Sequence, residues 1–334
     1  MAQRPELYLA TEPFTRPGTA RAAAEAAATF VPYLALSVST MLLARQGHPW
    51  LALPALLAAS LFLVRVFIVF HDCCHGSFLA SRRANRLVGY AAGLLTLTPF
   101  DEWQRSHAEH HAGVGDLDRR GVGDVWTMTV AEYREASRWK RFSYRVFRNP
   151  IVMLGVGPAL LFLAGNRWPM SRDGRKERRS VHVTNAGLAV TLVVAHLTIG
   201  LPVFVATQVP ILVLAATIGV WLFYVQHQFE DVYWARRPAW EPLKAALEGS
   251  SYYKLPGVLQ WLTGSIGLHH IHHVQPRIPF YRLQSCQDAV PAFQAVPALT
   301  IRRSLHSLRL RLVDEQRRRM VTWSDVRSLR LPRH

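Results

Sequence analysis

The sequence predicts an all-α integral membrane protein: four transmembrane helices as two hairpins, two re-entrant or interfacial helices, and a cytosolic helical cap carrying clustered histidines. Three observations predict it. Half of the 334 residues are hydrophobic, and they are gathered into long runs rather than dispersed. The basic residues behind the net charge of +17 sit between and beyond those runs, where cytoplasmic loops collect Lys and Arg and face anionic headgroups. Histidines recur at helical spacing just where apolar runs stop.

Taken in order, Arg4, Arg16 and Arg21 precede the first apolar run, 22–43. No small-residue cleavage site follows a short apolar core there, so the run reads as an anchor helix and not as a removable signal. The turn Gln46-Gly47-His48-Pro49 leads to the second run, 50–70. Each run is near twenty residues, enough for roughly 30 Å of hydrocarbon. With the first arginines inside, the N-terminus and residues 71–86 are cytosolic. Two more long runs, 184–204 and 209–225, form the second hairpin, with an uncharged link around Pro202. Between the pairs lie 87–100 and 151–164, short for spanning and suited to re-entrant or interfacial helices. Parity agrees: if 151–164 dips in and returns, the basic stretch Ser171–Ser180 stays inside. Residues 101–150 and 226–334 complete the cap, and the basic, leucine-rich stretch from Ile301 lies on it or on the headgroups. The whole, 1–334, reads as one domain.

Some classes are excluded at this point. No zinc finger, RNP motif or phosphate-binding loop accompanies the positive charge, so nucleic acid is not the partner. Three cysteines, Cys73, Cys74 and Cys286, two of them adjacent, make no disulfide framework. Only four of the 39 basic residues are Lys, a bias of GC-rich bacterial genomes; the expected location is a bacterial inner membrane.

The histidines carry the chemistry. His71 and His75 form H-x-x-x-H directly after the second run; His107, His110 and His111 form H-x-x-H-H; His269, His272 and His273 form a second H-x-x-H-H. His227 stands at the end of the fourth run. Residues at i, i+3 and i+4 share a helix face, so each cluster aims its imidazoles at one point. All fall at the cytosolic ends of membrane segments. Nine imidazoles exceed the four ligands of a zinc site and suit two metals with open positions. His270 is rotated about 100° from His269 and projects elsewhere. His48, His182, His196, His306 and His334 have no partners at ligand spacing. Transporter ligands normally lie near the bilayer midplane, unlike these.

At these residues a resemblance becomes specific. HDCCHGSF, then HAEHH followed by GDLDRRGVGDVWTMTVAEY, then GSIGLHHIHHVQPRIPFYRL resemble the membrane fatty acid desaturases, most of all the acyl-lipid Δ12 (omega-6) type, from about Leu61 to Leu283. The resemblance implies a histidine-ligated di-iron site held by His71, His75, His107, His110, His111, His227, His269, His272 and His273. It further implies O2 as co-substrate, two external electrons and removal of two hydrogens from an unactivated acyl chain of a lipid or acyl carrier. One position departs: where animal acyl-CoA desaturases have an Asn that holds an iron-bound water, this sequence has Phe223. No haem-binding cytochrome b5 segment with HPGG is present, so a separate ferredoxin or cytochrome b5-type donor is expected. Asp72, Glu109, Asp116, Asp118 and Glu230 lie close enough in sequence to orient ligands. Arg65, six residues before His71, is expected at the interface or paired with a carboxylate. A sister di-iron hydroxylase or ketolase acting on acyl chains, alkanes or carotenoids is the alternative, with a non-enzymatic metal binder behind it.

Overall fold

The computed structural model describes residues 3–328; His334 lies outside them. A short helix α1 (Gln3–Thr11) precedes the first hairpin, α2 (Thr19–Arg45) and α3 (Pro49–His75). Gly47 reverses the chain between them with a φ of 81°, and Pro49 opens α3 where its missing N–H removes no helical bond. α3 stops at Gly76, whose left-handed φ of 67° directs its N–H back to the last-turn carbonyls of Asp72 and Cys73.

The segment expected over 87–100 is two elements. α4 (Arg82–Leu95) begins on Ser81, whose hydroxyl accepts from Ala84 N–H at 3.3 Å, and ends before Leu97, which takes a positive φ of 51°. Pro99 then disfavours helix at Thr98 and introduces α5 (Phe100–Gly113). The apolar letters run unbroken across this turn, which is why hydropathy alone misses it. Gly89 lies directly under the Phe100 ring, where a Cβ would collide with it.

Next come α6 (Val130–Glu135) and α7 (Arg138–Phe147). The stretch expected over 151–164 is a π-helical turn, Val152–Val156, running into α8 (Gly157–Leu163). Val152–Arg167 is bent by 65° from α7. Its end meets the turn after α4: Asn166 Nδ2 donates to the Leu97 carbonyl at 3.2 Å, and the Arg167 guanidinium donates to the same oxygen.

The second hairpin is α9 (Arg175–Thr198) and α10 (Leu201–His227). The boundaries expected at 184–204 and 209–225 therefore move. Gly200, with φ 91°, makes the reversal, and Pro202 sits inside the first turn of α10, a place a proline tolerates. Four helices of the described residues, α2, α3, α9 and α10, are long and apolar enough to cross a membrane. α3 ends, α9 begins and α10 ends at one end of this bundle. His71 Nε2 is 3.0 Å from His107 Nε2, Asp101 N–H donates to Ser180 Oγ at 3.0 Å, and His110 Nε2 is 3.2 Å from His227 Nε2. The chain from Gly76 to Gly174 thus starts and finishes at that end.

The cap adds α11 (Pro242–Glu248), α12 (Gly257–Leu262), α13 (His269–Val274), α14 (Phe280–Ala289), α15 (Pro291–Gln294), α16 (Ile301–Ser307) and α17 (Trp323–Ser328). The chain is mostly helical, as expected, but the cap is not purely so and holds two small sheets. β1 (Met128–Thr129) pairs parallel with β4 (Leu310–Asp314), which pairs antiparallel with β5 (Arg319–Thr322); β2 (Tyr252–Lys254) pairs parallel with β3 (Ala298–Thr300). Strands this short leave no readable alternation.

Two buried arginines fasten cap to bundle. Arg65 on α3 pairs with Glu25 of α2, donates to Thr29 Oγ1 at 3.0 Å and lies 4.0 Å over the Trp261 ring of α12. The expected carboxylate partner is thus real and comes from α2. Arg148, after α7, reaches Gln228 Oε1 at 2.9 Å, the Leu310 carbonyl at 3.0 Å and Tyr224 Oη at 3.2 Å.

Candidate metal centre

The last turn of α3 presents His71 and His75, the last residue of α10 is His227, and α5 and α13 lie between these ends with three clustered histidines each. The nine imidazoles divide into two groups: His71, His75, His107, His111 and His272 in one, His110, His227, His269 and His273 in the other. Within each group the nitrogens offered lie within 4.8 Å of one another. Helix geometry explains the division. His107 and His111 are one turn apart and face the first group, while His110, turned about 100° from His111, faces the second. On α13 the pair His269 and His273 faces the second group and His272 the first. The groups abut, with His111 stacked on His273 at a centroid distance of 4.2 Å.

Three outward nitrogens are committed, while those of His269 and His273 are buried with no hydrogen-bond partner among the described residues. His71 Nδ1 is 3.2 Å from Asp72 Oδ1, His110 Nδ1 is 2.6 Å from Asp124 Oδ1, and His227 Nδ1 is 3.0 Å from the Gly249 carbonyl. With Nδ1–H donating outward, these rings turn a bare Nε2 lone pair inward. The inward nitrogens crowd together: His111–His107 at 3.1 Å, His272–His111 at 2.9 Å, His227–His269 at 2.9 Å and His273–His269 at 3.1 Å. Burial first, and then the neighbouring imidazoles, hold His107, His111, His269, His272 and His273 well below the usual imidazole range, so these rings are neutral. His75 Nε2 is buried with no hydrogen-bond partner among the described residues. Converging lone pairs on neutral rings repel one another unless cations sit between them. The donor set therefore fits two metal ions.

The surroundings of the two groups differ. Trp103 stacks on His107 at 4.3 Å and meets Phe67 and Phe70 edge-on, and Phe162 of α8 touches Phe67, making an apolar wall around the first group. Phe223 lies 5.2 Å from the rings of both His110 and His227, closing one side of the second.

Of the carboxylates singled out in the sequence, Asp72 meets a cluster histidine and also accepts from Phe280 N–H at 2.6 Å. The others go elsewhere: Glu109 to Arg105 and Arg172, Asp116 to Arg237, Asp118 to Arg236, Glu230 to Arg319. Asp124, which orients His110, was missed because it is fourteen residues further on. The signal lay in Gly123, whose φ of 67° lets the loop fold back against Ser106 and His110. His270 stands outside both groups, 3.2 Å from Gln287 Oε1 and beside Phe293. His48, His182, His196 and His306 also lie outside them.

A helical membrane bundle closed by a buried polyhistidine centre defines the class of molecule. Comparison with known proteins gives the family. The model described as Fatty acid desaturase matches residues 48–303, a span that holds all nine histidines. A Bacillus subtilis protein named Fatty acid desaturase is 42% identical over 324 residues, covering 95% of this chain and 90% of its own. The chloroplastic omega-6 fatty acid desaturase of Arabidopsis thaliana is 26% identical over 72% of this chain and 54% of its own length. The sn-1 oleoyl-lipid 12-desaturase of Synechocystis is 25% identical, over 71% and 67%. The chain belongs to the fatty acid desaturase family and is an oxidoreductase.

Proposed function

We propose that the two histidine groups hold two irons and that the protein desaturates the acyl chain of a membrane lipid with O2. The single observation that carries this is the nine imidazoles in sets of five and four. The balance is one O2, two electrons from an external donor and two protons, with two hydrogens leaving adjacent methylenes: the products are a C=C bond and two waters. Iron at such a centre supplies the O2 activation that no side chain performs. This chain's residues hold and orient. Asp72, Asp124 and the Gly249 carbonyl fix ring orientation at His71, His110 and His227. Phe67, Phe70, Trp103 and Phe162 offer an apolar wall against which an alkyl chain is held away from water.

The Δ12 (omega-6) position is supported by the motif resemblance and by the more distant relatives, while the B. subtilis relative is named more broadly. A ferredoxin or cytochrome b5-type protein is the proposed donor. The cap is proposed to face the cytosol of a bacterial inner membrane, because the basic stretch Ser171–Ser180 lies against α5, with Lys176 Nζ 3.1 Å from Asp101 Oδ1. Expression in a host lacking polyunsaturated lipids, followed by fatty acid profiling and metal analysis, tests the reaction and the metal. Two irons per chain and a new diene are expected. An oxygenated product would replace desaturation by hydroxylation, and one zinc per chain would end the di-iron reading.

A further inference from the structure

α7 has a face that neither the bundle nor the metal centre uses. Residues 138–148 read RWKRFSYRVFR, with five basic side chains and no acidic one. The helix is held to the cap by Tyr144 and Arg148, both fully buried: Tyr144 Oη donates to the Arg311 carbonyl and accepts from Met128 N–H at 3.2 Å. On the opposite side, Trp139, Phe142 and Val146 are 74%, 56% and 42% exposed. Their i, i+3, i+7 spacing puts them in one stripe, and the Trp139 and Phe142 rings stack at 5.5 Å. Arg138 lies one turn before Phe142, beside the stripe, and Lys140 and Arg141 lie further round on either side, toward the face of Tyr144, with stems long enough to bring their charges to the stripe's margins. Arg145 is engaged on the cap, its Nε donating to Tyr133 Oη at 2.6 Å.

We propose that α7 lies in the membrane interface and binds anionic phospholipid headgroups: Trp139, Phe142 and Val146 enter the acyl boundary, and Arg138, Lys140 and Arg141 contact phosphates. Three things fix the occupant as a lipid surface. The stripe is apolar and aromatic, as interfacial helices require. Its flanks are uniformly basic, complementary to an anionic leaflet. It is continuous with an apolar element, since five residues after α7 the chain enters Val152–Arg167, and the two together are long and apolar enough to form a bent membrane segment. The exposed apolar surface carries on through Ile151, Val156 and Leu160, at 76%, 49% and 62%. The site has a direct mechanical tie to the metal centre: Arg148 at the end of α7 holds Gln228, the neighbour of His227. The inference rests on the membrane setting of the bundle but not on the reaction.

The test uses the full-length protein in nanodiscs, with a bimane label at Phe142→Cys and, separately, at Val190→Cys on the exposed face of α9. Quenching by brominated phosphatidylglycerol is compared with quenching by brominated phosphatidylcholine. At an anionic surface each basic residue favours binding roughly fivefold. The label at 142 should therefore be quenched at least about fivefold more effectively by the anionic lipid, falling to parity when Arg138→Gln, Lys140→Gln and Arg141→Gln are combined. Metal content equal to that of the parent protein shows that the triple variant is folded. The label at 190 should be quenched by both lipids alike; silence there would overturn the membrane setting itself. With 190 quenched, a label at 142 that neither lipid reaches would overturn the proposal and leave the face in water for a soluble acidic partner. Equal quenching by the two lipids in both backgrounds would overturn headgroup binding.

Discussion

At the scale of single residues, the distinction that matters is between imidazoles that face a neighbour's imidazole and those that do not. His269 and His270 are adjacent in sequence, yet His269 Nε2 sits among nitrogens of the second group while His270 contacts Gln287. His269→Ala is expected to lose iron and all product, and His270→Ala to keep both; the reverse pattern in metal analysis would discard the ligand set proposed for α13. His227→Ala is expected to abolish activity although no second histidine accompanies it in sequence. Wild-type iron content and product yield in that variant would reduce His227 to an interfacial side chain. Asp124 touches no metal position and acts through His110. Asp124→Asn should weaken metal retention about 10- to 100-fold, with Asp124→Glu recovering part of it. A chelator titration reads this without any assay of turnover. Of these residues, His269 was legible in the sequence because i, i+3, i+4 spacing is local, and His227 because it ends an apolar run. Asp124 was not, because a loop folding back on Gly123 brings it to His110 and no period announces a loop.

At the scale of the element, hydropathy located every long helix but misplaced two reversals. The break at Leu97 and the turn at Gly200 both lie inside runs of apolar residues. Only backbone conformation, set by Pro99 in one case and by a glycine in the other, marks them. The small sheets of the cap escaped for a different reason: their pairing partners, such as Met128 and Leu312, are distant in the chain. Packing between α4 and α5 is tight enough to test directly. A methyl at Gly89 meets the Phe100 ring, so Gly89→Ala should destabilise by about 1–3 kcal/mol through overpacking. Gly89→Ala combined with Phe100→Leu should recover part of that loss in thermal unfolding. Sidedness is tested at Ser171, an exposed position in the basic stretch. A cysteine there is expected to react with an impermeant reagent only after cells are permeabilised; reaction in intact cells would place the metal centre on the outer face.

At the scale of the whole molecule, the two groups draw on α3, α5, α10 and α13, and so on both hairpins and the cap at once. No pair of these helices alone supplies a complete set of nitrogens. A bound ion therefore stabilises the assembled state and has no comparable site in the unfolded chain. Stripping the metal should lower the thermal midpoint in detergent and restoring it should raise the midpoint again, whereas a chain with His75→Ala and His273→Ala should show little response to either. An unchanged midpoint on stripping would mean that the helices hold their places without ions. If the response is as expected and the ions are the proposed irons, iron supply would set the lifetime of the protein in its membrane as well as its turnover. A cell short of iron would then lose the protein to proteolysis of the loosened, ion-free form, and acyl-chain composition would follow metal nutrition with no change in gene expression.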